Sequence, residues 1–367
     1  MKNIIKIIFI SIFIFFIFDV TLGNYIYKKF IKVKLADVKT SYSLKDPLYD
    51  HKLPKNYNDL AGFGNRRYQL CTDDNGFRNF CDYKKNNQKK FDIGFMGDSF
   101  TEGIGIEYEN TYIGIIKKKL NSYENANLAT VSYSPSIYYS KIKSLLESGY
   151  TFKKIIVFID LSDFPDETLC YNLEFNKVER RSTFEKYCFK NSYENKIIFW
   201  LKKKFNFTRL LFEQFKYQLV NLGILKNKVD KHIIKHSRSE WTFNFKKENF
   251  NNFSKTDALN LYTKNMFRLS RLLKQNSISL SVAVYPWPGT LYFDERDNWQ
   301  VKIWQKFCQT ECKNFYNLMN IFYDKLEKNE FYNVYNDYFI FGDIHFNEKG
   351  NRLIADTFLK KFLDNKK

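Results

Sequence analysis

Short apolar runs alternate with amphipathic helical patterns along two stretches of the chain. Runs at residues 91–96, 126–131 and 154–160 predict strands, and residues at about 110–121 and 136–148 predict the helices between them. The run at 154–160 is apolar on both faces, which is typical of a central strand in a parallel sheet. The alternation resumes with a helix near 257–275, a strand at 279–285, helices near 298–328, a strand at 332–335 and a helix at about 347–363. Five strands separated by helices predict a parallel sheet covered on both sides.

The alternation is interrupted between residues 164 and 255. This stretch is rich in Phe, Lys and Asn and has no strand periodicity, so it predicts a mainly helical insertion. The sequence leaves the role of the insertion open. Residues 24–89 form a lead-in segment, and residues 90–363 hold the α/β domain that the insertion divides.

The N-terminus carries an apolar segment. After two lysines, residues 7–18 are apolar, and the apolar character resumes beyond Asp19 as far as Leu22. The run has no amphipathic period, so residues 1–23 predict a targeting or anchoring segment. Its length favours a cleaved signal, whereas the lack of a small-x-small cleavage site favours an uncleaved transmembrane anchor. Four lysines between residues 28 and 34 outnumber the two before the run, and that count would hold the body in the cytoplasm.

Six cysteines fall into three local pairs and indicate the opposite compartment. Cys71 and Cys81 flank an Asn-Gly dipeptide, a strong hairpin signal, so their thiols are disulfide candidates across that turn. Cys170 and Cys188 could close a loop in the same way. The last pair, at positions 308 and 312, lies one helical turn apart and also fits buried thiols. Disulfides would place the domain outside the cytoplasm, on the periplasmic or extracellular face.

Composition excludes two broad classes of protein. With 44% hydrophobic and 19% aromatic residues the chain can bury a core, so it is not a disordered protein. The formal charge is 59 − 40 = +19, but the cations are spread along the chain and no nucleic-acid motif accompanies them. We therefore expect no nucleic-acid partner. No Cys or His spacing is typical of zinc, and we expect no metal or cofactor.

The first candidate for chemistry follows strand one. Residues 96–103 read M-G-D-S-F-T-E-G and lie at the carboxyl edge of the predicted sheet, where sites form in open parallel sheets. The glycines allow the backbone to turn sharply and present Ser99 beside free amides at the start of a helix. Such a serine can act as a nucleophile if a base reaches it.

The candidate base lies near the other end of the chain. Asp343 precedes His345 by two residues in a loop before the last helix. An aspartate so placed can hold an imidazole in one tautomer while its free nitrogen faces a hydroxyl. The alternative is structural, with Asp343 capping a turn and His345 packing on Phe346.

These two blocks resemble the SGNH (GDSL-type) hydrolase family, whose first block is G-D-S after strand one and whose last block is D-x-x-H or D-x-H before the final helix. The resemblance covers about residues 90–363 apart from the insertion. It implies a flavodoxin-like three-layer α/β/α fold, with Ser99 as nucleophile, His345 as general base and then acid, and Asp343 orienting the imidazole. Members of the family cleave esters, often acetyl groups on carbohydrates, and some transfer acetyl groups.

The middle blocks depart from the family pattern. Ser132 stands where the family has a glycine whose amide stabilises the oxyanion, and a backbone amide survives that change. Ser162 stands where the family has an asparagine donor. The resemblance thus implies an oxyanion site from the amides of Ser99 and Ser132 with the Ser162 hydroxyl, although losing an asparagine donor can cost about 3–4 kcal/mol.

Other residues are candidates for substrate binding, and each has a structural alternative. Asp163 caps the following segment or binds a sugar hydroxyl. Arg78 contacts an anionic substrate or forms a salt bridge that supports the hairpin, and its N-G-F-R segment resembles one in membrane-anchored members of the family. Trp287 and Tyr285, at the end of strand four, stack on a sugar ring or pack in the core.

Together these features predict a serine-dependent ester hydrolase or acyl (acetyl) transferase that acts on an acylated carbohydrate of the cell envelope. The expected partners are that ester substrate and the membrane at the N-terminus, and a membrane protein that supplies the acyl group is an open alternative. Hydrolysis and transfer use identical residues, so the sequence does not separate them. The non-enzymatic alternative is an anchored glycan-binding or assembly subunit, which the changes at Ser132 and Ser162 favour.

Overall fold

A computed structural model describes residues 2–26, 42–64, 66–84, 87–188, 231–234, 249–250 and 253–364, with isolated positions 205, 208, 211, 212, 215, 218 and 219. The chain divides into two compact units. One comprises residues 1–39 and 189–228, and the other comprises residues 40–188 and 229–367. The lead-in segment from residue 40 onward therefore belongs to the same unit as the predicted α/β domain.

The larger unit is built around a five-stranded parallel sheet. Its strands are β1 (Lys90–Met96), β2 (Asn125–Asn127), β3 (Thr151–Ile159), β4 (Ser279–Val284) and β5 (Asn314–Asn317). Their spatial order is β2-β1-β3-β4-β5, and all four pairings are parallel. This is the flavodoxin-like order, so the predicted fold class is confirmed. In this order the carboxyl ends of β1 and β3 are neighbours.

Burial explains why β3 is central. Every side chain from Ile155 to Ile159 is fully buried, because the strand has neighbours on both edges and helices on both faces. β5, at the edge, buries only Tyr316 of its four residues. The parallel arrangement forces each connection to cross over the sheet, and the helices occupy those crossovers.

Helices cover both sides of the sheet. The long ones are α1 (Tyr112–Lys119), α2 (Pro135–Glu147), α3 (Lys255–Gln275), α4 (Trp299–Glu311) and α5 (Glu348–Asp364). α1 packs on α5, and α2 packs on α3. Shorter helices are Ser99–Glu102, Tyr108–Asn110, Asp163–Pro165, Pro288–Phe293, Asn320–Leu326 and Phe331–Tyr338.

The predicted fifth strand was placed wrongly. Residues 332–335 lie in the helix Phe331–Tyr338, which buries Val334, Tyr335 and Tyr338 at helical spacing. The strand is Asn314–Asn317 instead, within the stretch predicted as helix. The local Tyr-Asn-Val-Tyr alternation imitated a strand, while the true strand is too short and too little buried to give an apolar run.

The lead-in segment forms antiparallel hairpins. Leu44–Asp46 pairs with Asp50–Lys52, and Asn58–Phe63 pairs with Arg66–Cys71. The predicted Asn-Gly turn follows, with Gly76 at φ +81° and an isolated antiparallel bridge between Thr72 and Arg78. The hairpins bring residues of the lead-in segment against the α/β domain.

The described part of the insertion is not all helical. It contains a π-helical turn, Asp166–Cys170, followed by a hairpin of Tyr171–Glu174 with Lys177–Arg180. Further pieces are the helices Phe184–Tyr187 and Lys231–Ile234 and the paired strands Asn249–Phe250 and Phe253–Ser254. The prediction of a mainly helical insertion otherwise lies outside the described residues.

All six cysteines pair. Disulfides join Cys71 to Cys81 and Cys170 to Cys188, the two pairs named as candidates. The structure also joins the residues at positions 308 and 312, which had been compatible with buried thiols. The third pair is possible because 312 is the first residue beyond α4, where the backbone leaves the helix.

The smaller unit begins with an apolar helix, Lys2–Phe18, that continues through a π-helical turn to Ile26. Residues Phe9–Ile26 have a mean hydropathy of 1.9 and are long enough to cross a membrane, as an anchor or a signal sequence would be. Asp19 is fully buried within this unit and accepts a 2.9 Å hydrogen bond from the Thr208 amide.

Candidate active site

Ser99 lies at the carboxyl end of β1, where the strand turns directly into a short helix. Asp98 caps that helix, because its carboxylate accepts a hydrogen bond from the Phe100 amide at 3.1 Å. Ser99 is the first helical residue, and 8% of its surface is exposed to solvent. This strand-to-helix turn presents the serine at the edge of the sheet where the sequence placed it.

Two glycines make the turn possible. A Cβ atom at Gly97 would lie 2.0 Å from Thr101 Oγ1 and 3.0 Å from the Phe158 carbonyl oxygen. Gly103 ends the helix at φ +83°, and a Cβ there would lie 2.3 Å from Thr111 Cγ2. Neither position accepts a side chain, so the G-D-S-x-x-x-G spacing is a packing requirement.

The loop between the helix Phe331–Tyr338 and α5 carries Asp343 and His345. The Tyr335 hydroxyl, from that helix, lies 2.9 Å from the Asp343 carbonyl oxygen and 3.0 Å from the Ile340 carbonyl oxygen, either of which can accept its proton. The His345 amide donates to Asp343 Oδ1 at 2.9 Å. The imidazole packs edge-on against Phe63, with ring centroids 5.0 Å apart. These contacts fix the ring before any substrate binds.

The two ends of the domain meet at this point. Ser99 Oγ lies 2.8 Å from His345 Nε2, and His345 Nδ1 lies 2.5 Å from Asp343 Oδ1. The hydroxyl, imidazole and carboxylate are thus linked in sequence by hydrogen bonds. Burial alone would raise the pKa of Asp343, but the charge and hydrogen bonds of His345 hold it below its usual value. An ionised carboxylate there stabilises the imidazolium that forms when Ser99 gives up its proton.

A small cavity lies beside the hydroxyl and the imidazole. It is lined by Ser99, Phe100, Gly103, Ile104, His345 and Phe346, among others. Its polar lining residues are the serine, the histidine and Asn351, and most of the remaining wall is apolar. An ester carbonyl that reached Ser99 here would leave bulk water, which strengthens its electrostatic interactions with nearby amides.

The backbone amides named for the oxyanion are available. In the described part of the chain, neither the Ser99 amide nor the Ser132 amide donates to another protein atom. Ser132 has a φ of +60°, a left-handed conformation that favours glycine. This explains why the family pattern has a glycine at the position, and the serine keeps the same backbone path.

Ser162 does not fill the third oxyanion role, and that prediction was wrong. Its hydroxyl donates to Asp160 Oδ1 at 2.6 Å, with a second, longer approach of 3.4 Å to Asp98 Oδ2. A hydroxyl has a single proton to donate, and Asp160 takes it. The predicted oxyanion site is thereby left with its two backbone amides, those of Ser99 and Ser132.

Three buried carboxyl groups lie directly behind the nucleophile. Single oxygens of Asp98, Asp160 and Asp163 lie within 4.8 Å of one another. Asp160 accepts four hydrogen bonds, two from the amide and hydroxyl of Ser162 and one each from the Tyr285 hydroxyl and the Trp287 indole. Four donors therefore converge on its two oxygens. Both of its oxygens are thereby saturated, which does not suit a metal ligand.

Burial disfavours the charged form of the other two carboxyls. Burial, followed by the negative charge of Asp160, raises the pKa of Asp98 well above its usual value. Burial, followed by the charges of Asp98 and Asp160, raises the pKa of Asp163 in the same way. The direction matters at Asp98 because its Oδ2 lies 3.1 Å from Ser99 Oγ, where a full negative charge would oppose a developing oxyanion.

Asp163 and Trp287 do not face a substrate, so both predictions of sugar binding were wrong. Asp163 is fully buried, begins the helix Asp163–Pro165 and accepts the Tyr138 hydroxyl at 2.8 Å. Trp287 is 2% exposed, and its indole N–H donates to Asp160 at 2.8 Å. Both side chains are needed inside the protein to satisfy other buried polar groups.

Arg78 is buried away from any substrate and forms no salt bridge with the residues that the structure describes, so neither predicted role fits it. The guanidinium is fully buried and donates to the carbonyl oxygens of Glu102, Gly103 and Ile106. It also lies over the ring of Tyr68, 5.1 Å from the centroid. Arg78 therefore satisfies the backbone just beyond the nucleophile helix, which fixes the position of that helix.

Sequence reasoning missed residues that build this site. Asp160 was visible as a carboxylate at the carboxyl end of the most apolar strand, a place where only function or a buried network justifies a charge. Glu102 is fully buried and accepts the Val131 amide at 2.8 Å, and no local pattern marks that contact. His51, one of four histidines, contacts the Val131 carbonyl at 2.6 Å across 80 residues of sequence.

Comparison with known proteins gives structural likeness only. No protein-family model matches the chain, and no curated protein matches it. A lipolytic G-D-S-L family member from Veillonella parvula is 11% identical with a TM-score of 0.40, covering 74% of this chain and 98% of that one. A psychrotrophic esterase from Pseudoalteromonas sp. is 10% identical with a TM-score of 0.37, covering 76% and 100%. A GDSL-like lipase from Bacteroides thetaiotaomicron is 12% identical with a TM-score of 0.34, covering 75% and 88%.

Proposed function

We propose that the chain is a serine-dependent ester hydrolase in which Ser99, His345 and Asp343 act together. The observation that carries the proposal is the pair of hydrogen bonds at 2.8 Å and 2.5 Å that links hydroxyl, imidazole and carboxylate. Three such groups, drawn from residues about 250 positions apart in the chain, form a nucleophile, a base and an orienting acid.

The reaction follows from this geometry. His345 Nε2 takes the proton of the Ser99 hydroxyl as Oγ bonds to the ester carbonyl carbon, and the amides of Ser99 and Ser132 face the resulting oxyanion. The imidazolium then protonates the leaving alcohol oxygen, and the ester C–O bond breaks to leave an acyl group on Ser99. Water then attacks the acyl carbon as His345 takes its proton, and the imidazolium returns that proton to Ser99 Oγ as the acyl C–O bond breaks, which releases the acid and the free serine.

The proposed substrate is an acylated carbohydrate of the cell envelope, with an acetyl ester as the first choice. Three disulfides support a location outside the cytoplasm. The apolar N-terminal helix supports attachment to a membrane. Transfer to a sugar hydroxyl in place of water would use the same residues. An assay for thiols on the denatured, non-reduced protein tests the compartment: we expect none, and six free thiols would contradict the proposal.

The two-donor oxyanion site favours a slow enzyme. A missing oxyanion donor typically costs about 10²–10³-fold in kcat. The same observation favours the second candidate, an anchored glycan-binding subunit without turnover. Binding of acetylated oligosaccharides that is equal in wild type and Ser99→Ala, with no release of acetate by either protein, would select that candidate.

The direct test is hydrolysis of p-nitrophenyl acetate and of an acetylated oligosaccharide by wild type and Ser99→Ala. We expect kcat/KM to fall by at least about 10³-fold in Ser99→Ala, because the nucleophile is lost. Ser148→Ala is the matched control, since Ser148 is exposed and lies at the far end of α2. Equal rates for wild type and Ser99→Ala would refute the proposed function.

A further inference from the structure

The loop that follows β2 is held at Val131 from two sides. The Val131 amide donates to Glu102 Oε2 at 2.8 Å, and Glu102 belongs to the same helical turn as Ser99. The Val131 carbonyl oxygen lies 2.6 Å from His51 Nε2, in the lead-in strand Asp50–Lys52. The Tyr133 hydroxyl donates in return to the His51 carbonyl at 2.7 Å. A residue of the loop is thus fixed at both its amide and its carbonyl.

The peptide group that His51 holds is the one that carries the Ser132 amide. The chain has no cis peptide in its described part, so the Val131 carbonyl and the Ser132 N–H point in opposite directions in one plane. Fixing the carbonyl therefore fixes the direction of the N–H. A hydrogen bond to the carbonyl also polarises the peptide and makes its N–H a stronger donor.

Hydrogen-bond geometry sets the group to which His51 donates. Its Nε2 lies 2.6 Å from a carbonyl oxygen, which only accepts, so Nε2 carries a hydrogen and donates to Val131. Its Nδ1 lies 2.8 Å from Asp50 Oδ2, which holds the ring in place. The side chain of His51 is 12% exposed, so these contacts are largely shielded from solvent.

The groups around His51 hold the ring in this orientation. Asp50 is held in turn by Arg180, with Nε at 2.7 Å and Nη2 at 3.1 Å. Burial would raise the pKa of Asp50, but the hydrogen bonds of His51 and Arg180 lower it to about 2. The other groups that face His51 are the Glu102 carboxyl and the Tyr133 ring, whose centroid lies 5.0 Å away. Asp50 itself adopts a left-handed conformation, φ +71°, to reach the imidazole.

We propose that His51 is a positioning residue for the oxyanion site: it orients and polarises the Val131–Ser132 peptide so that the Ser132 amide stabilises the oxyanion. The proposal rests on the proposed function, because it needs the Ser132 amide to act as a donor. It assigns a role to the lead-in segment, and through Arg180 it connects the hairpin of the insertion to the chemistry at Ser99.

The test compares three His51 variants with wild type in steady-state hydrolysis of p-nitrophenyl acetate. His51→Phe keeps an aromatic ring of similar volume but has no donor, and we expect kcat to fall about tenfold with KM within about twofold. His51→Gln keeps a donor within reach of Val131 and should recover most of the loss. The side chain of His51→Asn is one methylene shorter than that of His51→Gln, so its amide cannot reach the Val131 carbonyl. We expect the same tenfold fall in kcat for His51→Asn, which therefore serves as the test variant if His51→Phe does not fold.

Ser140→Ala is the matched structural control. Ser140 also ties the lead-in segment to the core, since its hydroxyl donates to the Leu48 carbonyl at 3.0 Å, but it does not touch Val131. We expect its kcat to stay within about twofold of wild type. An unchanged kcat in His51→Phe or His51→Asn, or an equal loss in Ser140→Ala, would overturn the positioning role. If wild type itself shows no turnover that depends on Ser99, the proposed function fails first.

Discussion

Replacement of Arg78 by lysine tests whether this residue is structural. Arg78 is fully buried, and its planar guanidinium reaches three carbonyl oxygens at once, those of Glu102, Gly103 and Ile106. Lysine keeps the charge, but its compact ammonium cannot span the three positions. Losing two of three charge-assisted hydrogen bonds, at about 1.5 kcal/mol each, should lower the free energy of unfolding by about 3 kcal/mol.

Urea denaturation of the oxidised protein measures this loss. With a slope near 3 kcal/mol per molar urea, the midpoint of Arg78→Lys should fall by about 1 M. Arg66→Lys is the matched control, because Arg66 pairs with Glu348 at 2.9 Å on the surface and should cost less than about 1 kcal/mol. KM for the ester should stay within about twofold in both variants. A midpoint no lower than that of Arg66→Lys, together with a tenfold rise in KM, would refute the structural role and restore a substrate contact.

The remaining predictions concern three residues around the site. Trp287→Phe should leave KM within about twofold of wild type, because the ring is 2% exposed. It should lower the free energy of unfolding by about 2 kcal/mol, because the hydrogen bond to Asp160 is lost. A large rise in KM would indicate that the ring stacks on a sugar. Ser132→Gly should raise Tm by about 2 °C, since glycine relieves the left-handed backbone, whereas a lower Tm would show that the serine side chain is needed. The pKa of Asp50 is lowered to about 2 from 3.8, so its ion pairs stabilise the fold above pH 4 and are lost as the pH falls through 2. Asp50→Asn should therefore cost about 1–2 kcal/mol at pH 7 and less than about 0.5 kcal/mol at pH 2, and an equal cost at both pH values would contradict the assignment.

The parts of the fold that could be predicted from sequence are those in which local pattern and burial agree. β1, β3 and β4 are apolar because both faces are covered, and each lies where its run predicted. The position of β5 could not be predicted, because this edge strand of four residues buries one side chain and has no apolar run to detect. The helix at 331–338 was predicted as a strand, since four of its residues alternate as the residues of a strand do.

The residues of the candidate site also fall into those that a local sequence pattern predicts and those that it does not. Ser99, Asp343 and His345 stand in short motifs, and the structure brings all three together. Exposure is not a local property, so the sequence could not show that Arg78 and Trp287 are buried. Contacts between distant segments leave no local pattern either, which is why the bond between His51 and Val131 could not be foreseen.

The central claim is that His345 activates Ser99 for attack on a carbonyl-like centre. Incubation with a fluorophosphonate ester, followed by intact-mass measurement and peptide mapping, tests it most directly, because the reagent bonds covalently only to an activated hydroxyl. We expect one adduct per chain, located on Ser99, and at least about a 100-fold slower reaction in His345→Gln. No adduct on Ser99, or the same labelling rate in wild type and His345→Gln, would contradict it.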